Sequence, residues 1–151
     1  MKRRHLLAGT AGGTALLALP FVAVVHATEV HVFKSRSCGC CGLWVRHLQA
    51  AGLEVKVTEV DNAAVERKRL GMPDQFGGCH TAMVKGYVIE GHVPADEVKR
   101  LLEAEPKAIG LAVPGMPVGS PGMEAGARKD PYEVLLVDSS GQASVYARYP
   151  K

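Results

Sequence analysis

The sequence predicts a single α/β domain with a central mixed sheet. Its 151 residues are enough for one compact hydrophobic core and too few for two ordinary domains. Segments in which apolar residues alternate, as in strands, take turns with segments in which apolar residues recur at helical spacing. Two alternating segments close the chain, separated by a polar turn, and this pattern is typical of a hairpin.

The first predicted unit is a strand followed by a helix. Residues 29–33 alternate between polar and apolar side chains, and a polar turn follows them. Apolar residues from Leu43 to Ala51 then recur at helical spacing, with Ser37 as the predicted N-cap and Gly52 at the position where the helix stops. A cysteine-rich motif lies between this strand and this helix.

The same patterns predict five further elements before residue 105. They are a strand at 53–60, a helix at 62–70, a hairpin of strands at 81–84 and 87–93, and a helix at 98–104. The resulting order of elements, β-α-β-α-β-β-α, is thioredoxin-like. We therefore expect a thioredoxin-like central sheet with flanking helices.

Residues 106–128 have a different composition, with two Pro-Gly-Met units that begin at Pro114 and Pro121 and almost no charge before Glu124. This composition predicts one long ordered loop, and loops of such length in a compact domain commonly act as lids or binding segments. Residues 132–137 and 143–149 are the two strands of the predicted C-terminal hairpin.

The first 27 residues have the three parts of a signal peptide. A basic start containing Arg3 and Arg4 precedes a long uncharged apolar run, and Ala27 supplies a small residue for cleavage. The paired arginines fit the twin-arginine route and an ordinary secretory leader equally. A retained membrane anchor is disfavoured by the glycines and the proline within the run. We expect a signal peptide at 1–27 and one exported domain at 28–151.

The charge balance excludes one class of partner. The chain carries 18 Lys and Arg against 15 Asp and Glu, but three of these basic residues and no acidic one lie in residues 1–27. The domain that follows is therefore formally neutral and has no basic stripe or aromatic ladder. We expect no nucleic-acid partner and, after cleavage, no membrane association.

Three cysteines stand at the predicted start of the first helix, in the motif Cys38-Gly39-Cys40-Cys41. Thiols at a helix start meet free backbone N–H groups and the positive end of the helix dipole, which favours the thiolate. Cys38 and Cys41 have the Cys-x-x-Cys spacing of redox motifs. The motif therefore predicts thiols that are reactive or bind metal.

The third thiol, Cys40, favours metal binding. Three thiolates in four residues repel one another, and the helix end compensates only about half a unit charge. Adjacent cysteines do not easily complete a tetrahedral shell around one ion, whereas sulfur can bridge two ions. The spacing therefore predicts a polynuclear thiolate site that holds more than one copper ion as Cu(I).

A fourth sulfur is expected from Cys79, which lies immediately before the third predicted strand. In a thioredoxin-like fold the loop before that strand packs against the cysteine motif, and His80 would then be a ligand or a partner of one. A lone cysteine near a strand is also a common buried apolar residue. His31, His47 and His92 are predicted to lie on the surface, away from the site.

Two thioethers, Met116 and Met123, are weaker candidates for the same site. Both belong to the Pro-Gly-Met units, in which proline and glycine shape a turn that aims the side chain. Thioether sulfur is a soft donor that suits Cu(I). Because methionine more often fills space in a core, a lid role is favoured over ligation.

Three alternatives to a copper site remain open from the residues alone. Cys38 and Cys41 could serve a thiol-disulfide oxidoreductase, with Cys38 attacking and Cys41 resolving. A single zinc ion in a Cys₄ or Cys₃His set would stabilise the fold. Two structural disulfides are the third alternative, although a domain of this size needs none and a bridge between Cys40 and Cys41 would be strained.

With these residues in view, the chain resembles the exported copper-resistance proteins of the CopG type. The similarity runs through most of the chain after the predicted leader. The stretches that carry it are residues 38–44, 79–82, 86–94 and 113–124, with sequences CGCCGLW, CHTA, GYVIEGHVP and VPGMPVGSPGME.

The resemblance implies a thioredoxin-like fold, a periplasmic location and a part in copper resistance that includes cycling between Cu(I) and Cu(II). It also implies a cysteine-bridged multinuclear copper site on Cys38, Cys40, Cys41 and Cys79. Copper ions, and copper-efflux or copper-oxidase proteins, would be the partners.

Overall fold

The computed structural model describes residues 28–151, so the predicted signal peptide lies outside the described residues. Within them the chain forms seven strands, three α-helices and one short 3₁₀ turn. In chain order these are β1 (Glu29–Lys34), α1 (Gly39–Ala50), β2 (Glu54–Glu59), α2 (Ala63–Arg69), the 3₁₀ turn (Asp74–Phe76), β3 (His80–Val84), β4 (Tyr87–Glu90), α3 (Ala95–Ala104), β5 (Ala108–Ala112), β6 (Tyr132–Asp138) and β7 (Ala143–Tyr149).

All seven strands belong to one mixed sheet in the order β2-β1-β3-β4-β5-β6-β7. The pairs β1 with β2 and β4 with β5 are parallel, and the other neighbouring pairs are antiparallel. The predicted α/β class and mixed sheet are confirmed, and the thioredoxin-like assignment stays a prediction. No helix within residues 28–151 combines the length and apolar character that crossing a membrane requires.

The core has two parts, one on each face of the sheet. Neighbouring residues of a strand point to opposite faces, so Ile89 packs in the larger cluster while Val88 packs in the smaller one. The larger cluster includes Trp44 and Leu48 of α1 together with α3, and the smaller one includes Phe76 of the 3₁₀ turn. The helices that follow β1 and β4 therefore cover the same face.

The prediction of one long loop at residues 106–128 is wrong at its start, because β5 forms there. Its sequence, Ala-Ile-Gly-Leu-Ala, is short and lacks strong strand formers other than Ile109. The strand exists because it is paired on both sides, in parallel with β4 and antiparallel to β6. Sequence patterning alone does not show such pairing, since its partners are distant along the chain.

The register of β1 and β3 brings two distant parts of the chain together. Lys34, the last residue of β1, lies opposite His80, the first residue of β3. The cysteine motif follows Lys34 after a short turn, and Cys79 directly precedes His80. Both cysteine-bearing segments therefore meet at the same end of the sheet, where β1 ends and β3 begins.

Candidate metal centre

The three cysteines of the motif lie at the start of α1, as predicted. Cys38 is the N-cap residue, with extended backbone angles, and its N–H donates to the Ser35 carbonyl at 3.1 Å. Within the described residues no side chain caps this helix, and the N-cap position belongs to Cys38, so the prediction of Ser37 as N-cap is wrong. The Ser37 hydroxyl instead lies 3.2 Å from that of Ser35. The cysteines therefore occupy the N-cap and the first turn of the helix.

The sulfurs of the four cysteines predicted for the site lie close together. Cys38 and Cys41 form a disulfide with their Cα atoms 5.4 Å apart, and Cys40 and Cys79 are free thiols. The Cys40 sulfur lies 3.4 Å from that of Cys38 and 3.7 Å from that of Cys79. The Cys41 and Cys79 sulfurs are 3.5 Å apart. All four lie within 4.8 Å of one another, so they form a group that could hold a metal.

His92 belongs to this centre, and its predicted surface position is wrong. Its side chain is fully buried, and Nε2 lies 3.0 Å from the Cys79 sulfur. The chain leaves β4 through Gly91, whose φ of +69° turns it inward. This turn breaks the strand alternation on which the surface prediction rested. The stretch Gly91-His92-Val93-Pro94, in which a strand pattern runs into glycine and proline, was the available signal.

A hydrogen bond fixes the form in which His92 faces the cysteines. Its Nδ1 lies 2.8 Å from the carbonyl oxygen of Pro121, which can only accept, so Nδ1 carries the proton. The Nε2 lone pair is therefore directed toward Cys79, as in imidazoles that bind metals. Burial also lowers the pKa of His92. The ring is thus poised as a neutral nitrogen donor.

His80 is the second buried imidazole. Its ring packs against that of Trp44 at a tilt of 35°, with centroids 4.2 Å apart, and its Nδ1 lies 3.5 Å from the Cys79 sulfur. Burial lowers the pKa of His80 to about 3, so the ring is neutral. Its Nε2 is buried and has no hydrogen-bond partner among residues 28–151. An unsatisfied buried nitrogen of this kind is costly unless a proton donor or a cation occupies the space beside it.

Cys79 connects two groups of donors. The first is the four cysteines, and the second consists of Cys79, His80 and His92, whose donor atoms also lie within 4.8 Å of one another. Burial raises the pKa of the Cys79 thiol to about 12, with Cys40 adding to the effect, so a metal must displace its proton. Sulfur and imidazole donors suit soft ions such as Cu(I), and also zinc.

The chain is similar to known copper-resistance proteins. Two solved structures, both titled "Copper resistance protein copG", as Form 2 and Form 1, are 45% and 44% identical to the chain. Each match covers 83% of this chain and 100% of that one, with a TM-score of 0.79. The chain belongs to the CopG family. A family model described as "Protein of unknown function, DUF411" matches residues 76–123 of this CopG-family protein, and no curated protein matches its sequence.

In this CopG-family chain, the turn at residues 121–124, here called the lid, packs against the start of α1, which carries the cysteine motif. Gly122 has a φ of +86°, and a Cβ there would lie 2.8 Å from both the Cys40 carbonyl oxygen and the Trp44 nitrogen. The Glu124 carboxylate accepts a hydrogen bond from the Gly122 N–H at 2.9 Å, which lies within the same turn. The lid thus touches the first turn of α1 while the Pro121 carbonyl binds His92.

The two predicted methionines lie in different surroundings. Met123 is half-buried within the lid, where its N–H donates to the Ser120 carbonyl at 2.8 Å. Met116 is 53% exposed. A lid role for the segment that contains Met123 and ligation by either thioether both stay predictions.

Proposed function

We propose that this protein binds copper as Cu(I) in a multinuclear thiolate site and serves copper resistance. The observation that carries the proposal is the convergence of four cysteine sulfurs within 4.8 Å, with the sulfur of Cys79 shared with two buried imidazoles. The titles of the two related structures name copper resistance. Six soft or borderline donors around shared sulfur suit more than one monovalent copper ion.

The disulfide sets a condition on this proposal. Cys38 and Cys41 can bind copper as thiolates only after their disulfide accepts two electrons, for which an external thiol reductant is the source. Once reduced, the two sulfurs join Cys40 beside the helix start, where the dipole favours thiolates. Copper then supplies the positive charge that offsets their repulsion.

We also propose the setting in which the site works. The predicted signal peptide supports export to the periplasm, and the order of strands and helices before β5 supports the thioredoxin-like assignment. Cycling between Cu(I) and Cu(II), and exchange of copper with an efflux or oxidase protein, complete the proposal. Soft sulfur and borderline imidazole donors, which together accept both oxidation states, support the cycling.

Anaerobic titration of the reduced protein with Cu(I) tests the copper site. We expect more than one copper ion per chain, and a clear loss of bound copper in Cys38→Ser and in Cys40→Ser. Elemental analysis of protein from copper-supplemented cells should agree. Saturation at one ion, unchanged binding in Cys38→Ser, or one zinc with no copper would contradict the proposal.

The disulfide between Cys38 and Cys41 at a helix start favours a second candidate, a thiol-disulfide oxidoreductase. In that reaction the Cys38 thiolate attacks a substrate disulfide, and Cys41 then releases the reduced substrate and reforms the protein disulfide. The metal-free protein should be assayed for insulin reduction. We expect no turnover above background. Turnover lost in Cys38→Ser and Cys41→Ser but kept in Cys79→Ser would favour this candidate instead.

A further inference from the structure

Glu90, the last residue of β4, has a carboxylate that is fully buried and accepts three hydrogen bonds. The Gly78 N–H donates to it at 2.7 Å, the Thr81 hydroxyl at 2.6 Å, and the Arg67 guanidinium at 3.3 Å. Carboxylates in hydrogen bonds of this kind bind more strongly than neutral acceptors. The anion is therefore firmly attached to the backbone of the residue that precedes Cys79.

The loop that carries Cys79 packs directly against the ion pair formed by Arg67 and Glu90. A Cβ at Gly77 would lie 2.9 Å from Cζ of Arg67, and a Cβ at Gly78 would lie 2.7 Å from Cα of Gly91. Neither glycine has room for a side chain in its present position. A shift of Glu90 or Arg67 would therefore move the backbone on which the Cys79 sulfur depends.

Arg67 is itself held from two sides. It projects from α2, is only 9% exposed, and also donates to Asp74 of the 3₁₀ turn at 3.2 Å. Replacing a buried ion pair by apolar residues often leaves stability unchanged or improved. Stability alone is thus a weak reason for a charge pair here, whereas fixing a loop requires the directed hydrogen bonds that the pair supplies.

We propose that Glu90 is a positioning residue for the metal centre, because its carboxylate, held by Arg67 and Thr81, fixes the Gly78 amide and thereby the place of the Cys79 sulfur. The proposal rests on the proposed copper site. It extends that site to a buried polar network that is bonded to Gly78, the residue before Cys79. Glu90 acts through Gly78 and needs no contact with the metal.

The chain offers a matched control in Glu97, a second buried glutamate. Its side chain is 1% exposed and is paired with Arg100 and with Lys151, and its carboxylate also accepts from the Tyr149 hydroxyl at 2.7 Å. All of these partners lie on α3 or near the C-terminus. Glu97→Gln therefore perturbs a comparable network without touching the Cys79 loop.

Two measurements on Glu90→Gln test the proposal. Competition with a Cu(I) chelator should show affinity lowered by about tenfold, the scale typical of groups that orient metal ligands. In the reduced, copper-free protein, alkylation of Cys79 by iodoacetamide, resolved by mass spectrometry, should be several-fold faster than in the unaltered protein. Thr81→Val, which removes one donor and keeps the shape, should give a smaller change in the same direction.

The outcomes separate this proposal from the proposed function. Unchanged Cys79 alkylation in both Glu90→Gln and Thr81→Val, or equal effects in Glu97→Gln, would overturn the positioning role. If the unaltered protein binds no copper while Glu90→Gln alone accelerates Cys79 alkylation, the copper function fails and the positioning of Cys79 stands. Lower copper affinity and faster Cys79 alkylation in Glu90→Gln, both absent from Glu97→Gln, would support the positioning role of Glu90.

Discussion

Replacing Cys79 by serine is expected to reduce copper binding from several ions to at most one per chain, and to weaken the remaining binding by more than about tenfold. Within the described residues, its sulfur is the atom common to the four-cysteine group and to the group with two imidazoles. A serine hydroxyl is a harder donor that does not bridge Cu(I) ions as sulfur does. Losing Cys79 therefore separates the two groups.

Anaerobic Cu(I) titration with a competing chelator measures both the number of ions and their affinity. Met83→Leu is the control, since Met83 lies on β3, the strand that follows Cys79, and offers a soft sulfur at an exposed position. We expect Met83→Leu to bind as the unaltered protein does. Full stoichiometry in Cys79→Ser would show that the cysteine motif holds the copper without the fourth sulfur.

Replacing Gly122 by alanine is expected to displace the lid and to weaken copper binding. An alanine at this positive φ loses about 1 kcal/mol or more of folding free energy. Its Cβ would also clash with the carbonyl oxygen of Cys40 and the backbone nitrogen of Trp44, each at 2.8 Å. Moving the lid also withdraws the Pro121 carbonyl from His92. Both the helix start and the imidazole orientation are then disturbed.

Gly126→Ala is the matched control for that experiment. Gly126 also has a positive φ, +58°, but a Cβ there would meet no atom of the described part of the chain within 4 Å. Urea unfolding should show a loss of about 1 kcal/mol for Gly126→Ala and a loss larger by about another 1–3 kcal/mol for Gly122→Ala. Chelator competition should show weaker copper binding in Gly122→Ala alone. Equal effects of the two variants on copper would mean that the lid does not shape the site.

Local patterning predicts most of the elements because each depends on nearby residues. The helix after the cysteine motif follows from its apolar spacing, and the strands of the C-terminal hairpin follow from alternation around a polar turn. β5 was not predicted because its short sequence, which contains Ala and Gly, has little intrinsic preference for a strand. Its two neighbours in the sheet stabilise it, and neither is adjacent in sequence.

The candidate site shows the same division. By itself the sequence determined that Cys38, Cys40 and Cys41 stand at a helix start, because spacing and helical periodicity are local properties. Only the tertiary structure decided that His92 and the Pro121 carbonyl face Cys79, since an antiparallel register, an inward turn at Gly91 and the packing of the lid together set those distances. Sequence separation hides such contacts, because they form through packing between segments that lie far apart along the chain.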